Sequence, residues 1–248
     1  MKRSNSKIPI ILIHPSSVAS FILFNPNSWK NTSKQIIRSC AAQYSLLYYS
    51  LDKLNKLYND AGKLCQPSLE NLSSQWNTAK WTHRKCRYFV EIPEVHLYIQ
   101  IFLVSVKTLL DLIVQLISSE NIINSKIHGF HKKKEVIGGD VLNLLNNNSN
   151  KAKKNIANKI ATLINKHKKD WLDEIISVRD LLTHPKKGIA QVMFELEFRE
   201  TRQDLNLIKI IKPKINSNGV DFNDYASRVL EKIKAFSKDL LELVKQTK

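Results

Sequence analysis

Apolar residues recur every three or four positions over most of the chain, which is the period of an amphipathic helix. The longest such segment runs from residue 31 to about residue 64, and Asn31-Thr32-Ser33 offers N-caps for it. Its apolar positions are Ile36, Ile37, Cys40, Tyr44, Leu47, Leu51, Leu54 and Leu57. After a break at Pro67, the remaining helical segments cover about 69–85, 93–118, 151–168, 171–184 and 221–244. The pattern therefore predicts a mainly α protein.

The segment 93–118 differs from the others because it is apolar nearly all round. A helix of this kind belongs at the centre of a bundle. Pro93 suits the first turn of the helix, and Lys107 and Asp111 are four positions apart, where their side chains can pair. Two charges in the middle of the segment argue against a membrane span, so we expect a buried helix.

Two segments near the C-terminus carry β-strand patterns. Residues 192–199 alternate apolar and polar side chains, which is the strand period, and 205–212 is a second β-like run. The polar loop 200–204 between them predicts a β-hairpin. The fold class that we expect is a helical bundle with a small C-terminal β-hairpin and a closing helix.

The predicted organisation has three parts. Residues 1–30 form an N-terminal extension, 31–186 form the helical bundle, and 187–248 form the hairpin and the C-terminal helix packed on the bundle. Within the bundle, 119–150 is rich in Asn and predicts a basic loop with a short helix at about 141–145.

The chain is strongly basic, with 39 lysines and arginines against 22 acidic residues and a net charge of +17. The segment from Lys126 to Asp170 contains eleven of the lysines and three acidic residues. Residues 1–50 contain no acidic residue. A positive charge of this size and local density favours nucleic acid as a partner. A second interpretation stays open, because a composition rich in Asn, Ile and Lys also follows from an AT-rich genome.

The three cysteines, Cys40, Cys65 and Cys86, form no C-x-x-C motif. Their odd number and spacing argue against a zinc site or a disulfide framework and fit a reducing cytosol. The apolar run 8–13 is short and contains Pro9, so it is a poor signal peptide. We therefore expect a cytoplasmic protein without metal or cofactor.

The strongest candidate for chemistry is the sequence Arg179-Asp180-Leu181-Leu182-Thr183-His184, which ends a predicted helix just before Pro185. On an ideal helix Arg179 falls inside the apolar arc, where a cation needs a carboxylate, a phosphate or a water-filled cleft. The spacing alone is weak, because an Arg-x4-His arises by chance in a sizeable fraction of chains with this composition.

This motif at the end of a late helix resembles the HEPN superfamily, whose members are small helical bundles that carry Arg-x(4–6)-His at this place. The polar Asp180 after the arginine and the apolar helix with Lys107 and Asp111 also resemble the family pattern. The resemblance covers about 31–186. It implies a metal-independent endoribonuclease, plausible in phage defence or in a toxin–antitoxin system, or a member that has lost activity.

The resemblance also implies roles for the site residues. His184 would act as general base or acid when the 2′-OH of RNA attacks the phosphate, and Arg179 would stabilise the developing charge. Asp180 and Thr183 would orient the motif, and a homodimer would bring two Arg/His sets together. The residues expected to contact RNA are Lys132, Lys133, Lys134, Lys168, Lys169, Lys186 and Lys187.

Two alternatives stay open. In the first alternative, the chain is a non-catalytic module that binds RNA or protein, and Arg179 forms a structural ion pair with Asp111 or Asp173. Or it is a toxin whose segment 126–169 docks an antitoxin or another defence protein. His167 lies on the apolar stripe of its helix, which predicts a core or interface histidine.

Overall fold

The structure is a computed structural model and is mainly helical, with a small antiparallel sheet. The residues it describes are 29–76, 85–123, 125, 127, 129–131, 133, 136–148, 152–183, 192–200, 205–214 and 220–247. Nearly all of the predicted N-terminal extension, 1–30, lies outside these residues.

Helix α1 (Asn31–Asn59) begins at the predicted Asn-Thr-Ser sequence, but the predicted N-cap is wrong, because Lys30 is the N-cap residue and makes no side-chain cap hydrogen bond. The predicted apolar stripe is buried except for Ile37 and Leu57, which are partly buried. Helix α1 ends at Asp60, and α2 (Ala61–Trp76) follows at once, so the prediction of one helix to residue 64 and a break at Pro67 is wrong. Pro67 lies inside α2, where its fixed φ is helical but its missing N–H is costly. The burial of Cys65, with Leu64, Leu69 and Leu72 packed against the core, offsets that cost.

Helix α3 (Pro93–Ser119) is the predicted central helix. It packs against α1, and against two later helices, α6 (Asp173–Thr183) and α7 (Phe222–Lys245). Its Lys107 and Asp111 form the predicted ion pair. Within the described ranges, α3 is the one helix long and apolar enough to cross a membrane, but more than half of that stretch is buried inside the protein. Such burial is typical of a core helix.

The loop after α3 is fastened to it by Asp111, which accepts a hydrogen bond from the backbone N of Phe130 at 2.6 Å. Gly138, at φ +67°, sits against the Phe130 ring, and a Cβ at that position would lie 2.3 Å from the ring. The short helix α4 (Gly139–Asn146) then begins, as predicted around 141–145.

Helix α5 (Lys154–His167) continues into α6 through a π-helical turn, Lys168–Leu172. The sequence predicts two separate helices, 151–168 and 171–184, because Asp170 between them is a suitable N-cap. This is wrong, because the chain does not leave the helix there. Asp170 instead forms an ion pair with Lys232 of α7 at 2.5 Å. The wider π turn lets Trp171 and Leu172 both reach the core.

The sheet has three antiparallel strands in the order β1 (Lys85–Glu91), β2 (Met193–Glu200), β3 (Leu205–Ile211). The β2–β3 hairpin is confirmed, whereas β1 was not foreseen. Phe194, Leu196 and Phe198 of β2 alternate into the core. Strand β1 alternates between buried and exposed side chains only in part, since both Tyr88 and Phe89 are exposed. Its mixture of aromatic and basic residues therefore does not show the two-residue period of a strand in the sequence.

The C-terminal helix α7 is confirmed and begins at an N-cap, Asp221, whose side chain accepts a hydrogen bond from the N–H of Asn223 at 2.7 Å. It packs against α1, α3 and α5. The buried Tyr44 hydroxyl of α1 contacts the carbonyl of Ile233 at 3.0 Å and the hydroxyl of Ser237 at 2.8 Å. These bonds join the first and last described helices across the core.

The central position of α3 gives a direct test of the fold. Leu103 is 1% exposed and Leu97 is 51% exposed on the same helix. We expect Leu103→Ala to lower the free energy of unfolding by about 2–5 kcal/mol through lost burial and an unfilled cavity. Leu97→Ala is the matched control and should cost less than about 1 kcal/mol. Urea unfolding followed by circular dichroism measures both, and equal losses would contradict the packing described.

Candidate functional site

Helix α6 presents the Arg179 motif from a firmly packed base. Trp171 and Leu172 of the π turn are buried, as are Ile175, Ile176 and Val178 of α6, and α6 packs against α3. The apolar arc predicted from the sequence is therefore the face that anchors α6, which fixes the direction of the residues that follow it.

Arg179 and Asp180 lie together on this helix. Nη1 of Arg179 donates a hydrogen bond to Oδ1 of Asp180 at 3.0 Å. The Arg179 side chain is 28% exposed and that of Asp180 is 13% exposed. The carboxylate that the position of Arg179 requires is thus supplied by its neighbour, and a charge-assisted hydrogen bond of this kind orients the guanidinium plane.

The two carboxylates proposed from the sequence as structural partners of Arg179 form ion pairs with lysines instead. Asp111 pairs with Lys107, and Asp173 pairs with Lys168 at 2.9 Å. Asp180 is the carboxylate that the structure brings to Arg179, so the ion-pair assignments to Asp111 and Asp173 are not supported.

The described residues include only part of the rest of the motif. Thr183 is the last residue of α6, and its side chain is not described. His184, Lys186 and Lys187 lie outside the described residues. The geometry therefore supplies the arginine and its orienting carboxylate, and the role of the histidine stays a prediction.

The other lysines expected to contact RNA fall into different settings. Lys169 is exposed, but the Lys168 side chain is mostly buried and held by Asp173, which makes it a poor phosphate ligand. Lys133 is exposed and lies 3.4 Å from Asp140, while Lys132 and Lys134 lie outside the described residues. Lys169 and Lys133 are thus the accessible members of this set within the described part of the chain.

His167 is a core histidine, as its place on the apolar stripe predicts. Its Nδ1 accepts a hydrogen bond from Nε1 of Trp171 at 2.9 Å, and its ring packs edge-on against Phe236 of α7 at 5.1 Å between centroids. Because Nδ1 is an acceptor, neutral His167 carries its proton on Nε2. Burial lowers the pKa of His167 below its ordinary value of 6.5, with Lys166 adding to the effect and Asp170 and Asp239 opposing it.

Sequence reasoning missed a cleft of about 220 Å³ between the π turn and α7. Asp170 and Glu174 line one side, and Arg228 and Lys232 line the other. The signal is visible in the sequence as two i,i+4 pairs of like charge. In this structure the Asp170–Lys232 ion pair crosses the cleft and ties the π turn to α7.

The described residues contain no group of three or more His, Cys, Asp or Glu side chains that could hold a metal ion. The two cysteines whose burial is described, Cys40 and Cys65, are buried and free, and burial raises the pKa of both thiols, that of Cys40 to about 12. Neither is suited to nucleophilic chemistry near neutral pH.

Comparison of the chain with protein-family models, with curated proteins and with solved structures found no match.

The setting of His167 predicts a pH dependence of stability. The folded chain binds this proton at lower pH than the unfolded chain, so the contribution of neutral His167 is complete above about pH 6.5 and is lost as the pH falls below it. We expect the free energy of unfolding to fall less between about pH 7 and about pH 5 in His167→Phe than in the unaltered chain.

The matched control is His96→Phe, which removes a half-buried histidine of α3 that contacts Gln100 one turn along the same helix. Urea unfolding at each pH gives the slopes. A slope that is the same in His167→Phe as in the unaltered chain would show that His167 titrates alike in the folded and unfolded states.

Proposed function

We propose that the chain is a HEPN-like, metal-independent endoribonuclease of the cytoplasm that acts in phage defence or in a toxin–antitoxin system. The observation that carries the proposal is the Arg179–Asp180 pair, held in a partly exposed position near the end of a helix packed on the central apolar helix. His184 follows that helix directly in the sequence.

The chemistry assigns one task to each group. The 2′-OH of the RNA attacks the adjacent phosphate, the bond from phosphorus to the 5′ oxygen breaks, and a 2′,3′-cyclic phosphate and a 5′-OH result. His184 takes the 2′ proton or gives a proton to the leaving oxygen, since the ordinary pKa of a histidine side chain lies near neutrality. Arg179 stabilises the charge on the phosphate oxygens, and Asp180 holds its guanidinium in place.

A homodimer is part of this proposal, because one Arg-x4-His motif supplies one histidine and the reaction needs both a base and an acid. An exposed apolar surface supports it. Leu97 and Val104 of α3 are exposed, and so are Leu46 and Tyr49 of α1. The Tyr49 and Tyr98 rings meet edge-on at 6.1 Å, which places the two helix faces side by side. Exposed patches of this kind mark protein interfaces.

The dimer has a direct test. We expect Val104→Glu to convert the dimer to a monomer, because it would place an unpaired charge in the interface. Light scattering coupled to size-exclusion chromatography measures the mass. Lys63→Glu is the control, since that side chain is 88% exposed and lies on α2, whereas the exposed apolar residues named above lie on α1 and α3. A monomeric unaltered chain, or a dimer that survives Val104→Glu, would contradict the assignment.

The nuclease activity is tested by variants of the motif. We expect purified protein to cleave a mixed RNA pool in EDTA, and His184→Ala and Arg179→Ala each to lower the rate by about 100-fold or more, since general acid–base catalysis and oxyanion stabilisation each contribute on that scale. Asp180→Asn should lower the rate less, by about 10-fold, because the guanidinium remains but loses its charged partner.

The controls remove the same residue types elsewhere. Arg38→Ala changes an exposed arginine of α1, and His96→Ala a half-buried histidine of α3. Both should cleave at the unaltered rate. Cleavage that is equal in all variants would assign the activity to another site, and absence of cleavage by a folded dimer would favour the non-catalytic module that binds RNA or protein.

The Arg179–Asp180 ion pair is also what the non-catalytic alternative needs, because a pair of this kind can be purely structural. Cell growth separates the alternatives. A nuclease, free or normally silenced by an antitoxin, is toxic when expressed alone, and His184→Ala relieves the toxicity. A binding module gives no such relief.

A further inference from the structure

One face of α5 is exposed and carries only basic and neutral polar side chains. We name it the α5 face; its residues are Lys154, Asn155, Asn158, Lys159, Thr162, Asn165, Lys166 and, on the π turn, Lys169. On an ideal helix these residues share an arc of about 140°. The opposite arc is buried through Ile156, Ala157, Ile160, Ala161, Ile164 and His167.

The α5 face lacks carboxylates in a way that overall composition does not explain. No Asp or Glu occurs between Asp140 and Asp170, a stretch that contains seven lysines. The exposed positions of α7 mix both signs, with Asp224, Glu231, Asp239 and Glu242 beside Arg228 and Lys238. A genome-wide preference for lysine would act on both helices alike, so the charge of the α5 face is a local property.

The side chains on this face are of two kinds, lysines and short polar side chains. Lys159 and Lys166 are seven positions apart, so they stand about 10 Å apart along one flank of the helix. Asn155, Asn158, Thr162 and Asn165 lie between the flanks as short hydrogen-bonding groups. The Thr162 hydroxyl donates to the carbonyl of Asn158 at 3.0 Å, which leaves its oxygen lone pairs to accept from a ligand.

The shape of the surface decides between nucleic acids. A helix that reads B-DNA enters a major groove about 8.5 Å deep. Helix α5 packs against both α4 and α7 and its inner arc is buried, so only its outer arc of about 140° is available to a ligand and the helix cannot enter a deep groove along its full width. The minor groove of A-form RNA is wide and shallow and displays 2′-hydroxyls, which donate and accept hydrogen bonds.

We propose that the α5 face binds the minor groove of duplex RNA, with the lysines on the phosphates and the Asn and Thr side chains on the 2′-hydroxyls. This inference rests on the proposed function in taking RNA as the substrate, and it names the substrate class: RNA with a double-helical stem. Helix α5 leads through the π turn to α6, so Arg179 lies about 25 Å along the helical segment from Thr162. The stem is therefore bound apart from the point of cleavage.

The test measures binding separately from cleavage. The full chain carrying His184→Ala is titrated in EDTA into a labelled RNA duplex of about 20 base pairs, into the DNA duplex of the same sequence and into the single RNA strand, with fluorescence anisotropy as the readout. We expect the RNA duplex to bind at least about 10-fold more tightly than either of the others, because only it presents the 2′-hydroxyls in a wide groove.

Two pairs of substitutions divide the contacts by type. Lys159→Gln with Lys166→Gln should weaken RNA binding about 10-fold and lower the salt dependence by about two phosphate contacts. Asn155→Ala with Asn158→Ala should reduce the preference for RNA over DNA and leave the salt dependence unchanged. Circular dichroism checks that each variant is folded.

The matched control is Lys56→Gln with Lys63→Gln, which removes the same charge from exposed positions on α1 and α2. It should change binding less than about twofold. Equal weakening by the two lysine pairs would overturn the proposal, as would equal affinity for DNA, tighter binding of the single strand, or no binding of any RNA. Duplex binding through the α5 face without cleavage in EDTA by the chain with His184 intact would overturn the proposed function alone.

Discussion

The burial of α3 is the constraint on which the rest of the structure depends. A helix that is apolar nearly all round must bury most of its apolar surface, and α1, α6 and α7 cover it except on the side where Leu97 and Val104 are exposed. The two charged residues in the middle of α3 both have partners. Lys107 forms an ion pair with Asp111, and Asp111 also accepts a hydrogen bond from the backbone N–H of Phe130. The loop that leads to α4 and α5 therefore starts from a fixed point on the central helix.

The direction of α6 follows from the same packing. Because the apolar arc of α6 packs against the core, this packing fixes the position of Arg179, which lies inside the arc, and of Asp180 next to it near the end of the helix. The tie between Asp170 and Lys232 and the contact of His167 with Phe236 hold the π turn against α7. The arginine is thus placed by helix packing, without a dedicated binding loop among the described residues.

Much of this fold could be predicted from the periodicity of apolar residues, because long helices repeat it many times. The central helix, the short α4, the β2–β3 hairpin and α7 were all predicted. The sequence could not predict the continuity of α5 and α6, since Asp170 is a good cap and a π turn has no pattern of its own. Pro67 misled because tertiary packing overrides its helix-breaking tendency, and β1 was missed because Tyr88 and Phe89 are both exposed.

The site was predictable to a smaller extent. The position of Arg179 in an apolar arc correctly indicated that a carboxylate is needed, but the structural partners proposed from the sequence were Asp111 and Asp173, and the structure has the adjacent Asp180 instead. Charge counting found the basic region, and only the burial of residues separates the exposed Lys169 from the engaged Lys168. The resemblance to HEPN proteins rests on one motif and its helical setting, and so it stands as a proposal about chemistry.

That chemistry is tested most directly by the ends of the RNA fragments released in EDTA. Attack by the 2′-OH leaves a 2′,3′-cyclic phosphate on one fragment and a 5′-hydroxyl on the other, and mass spectrometry of the fragments distinguishes these groups. The account predicts these ends, with no cut after a nucleotide that carries a 2′-O-methyl group. Fragments with 3′-hydroxyl and 5′-phosphate ends would contradict it, because they require attack by water on the phosphate.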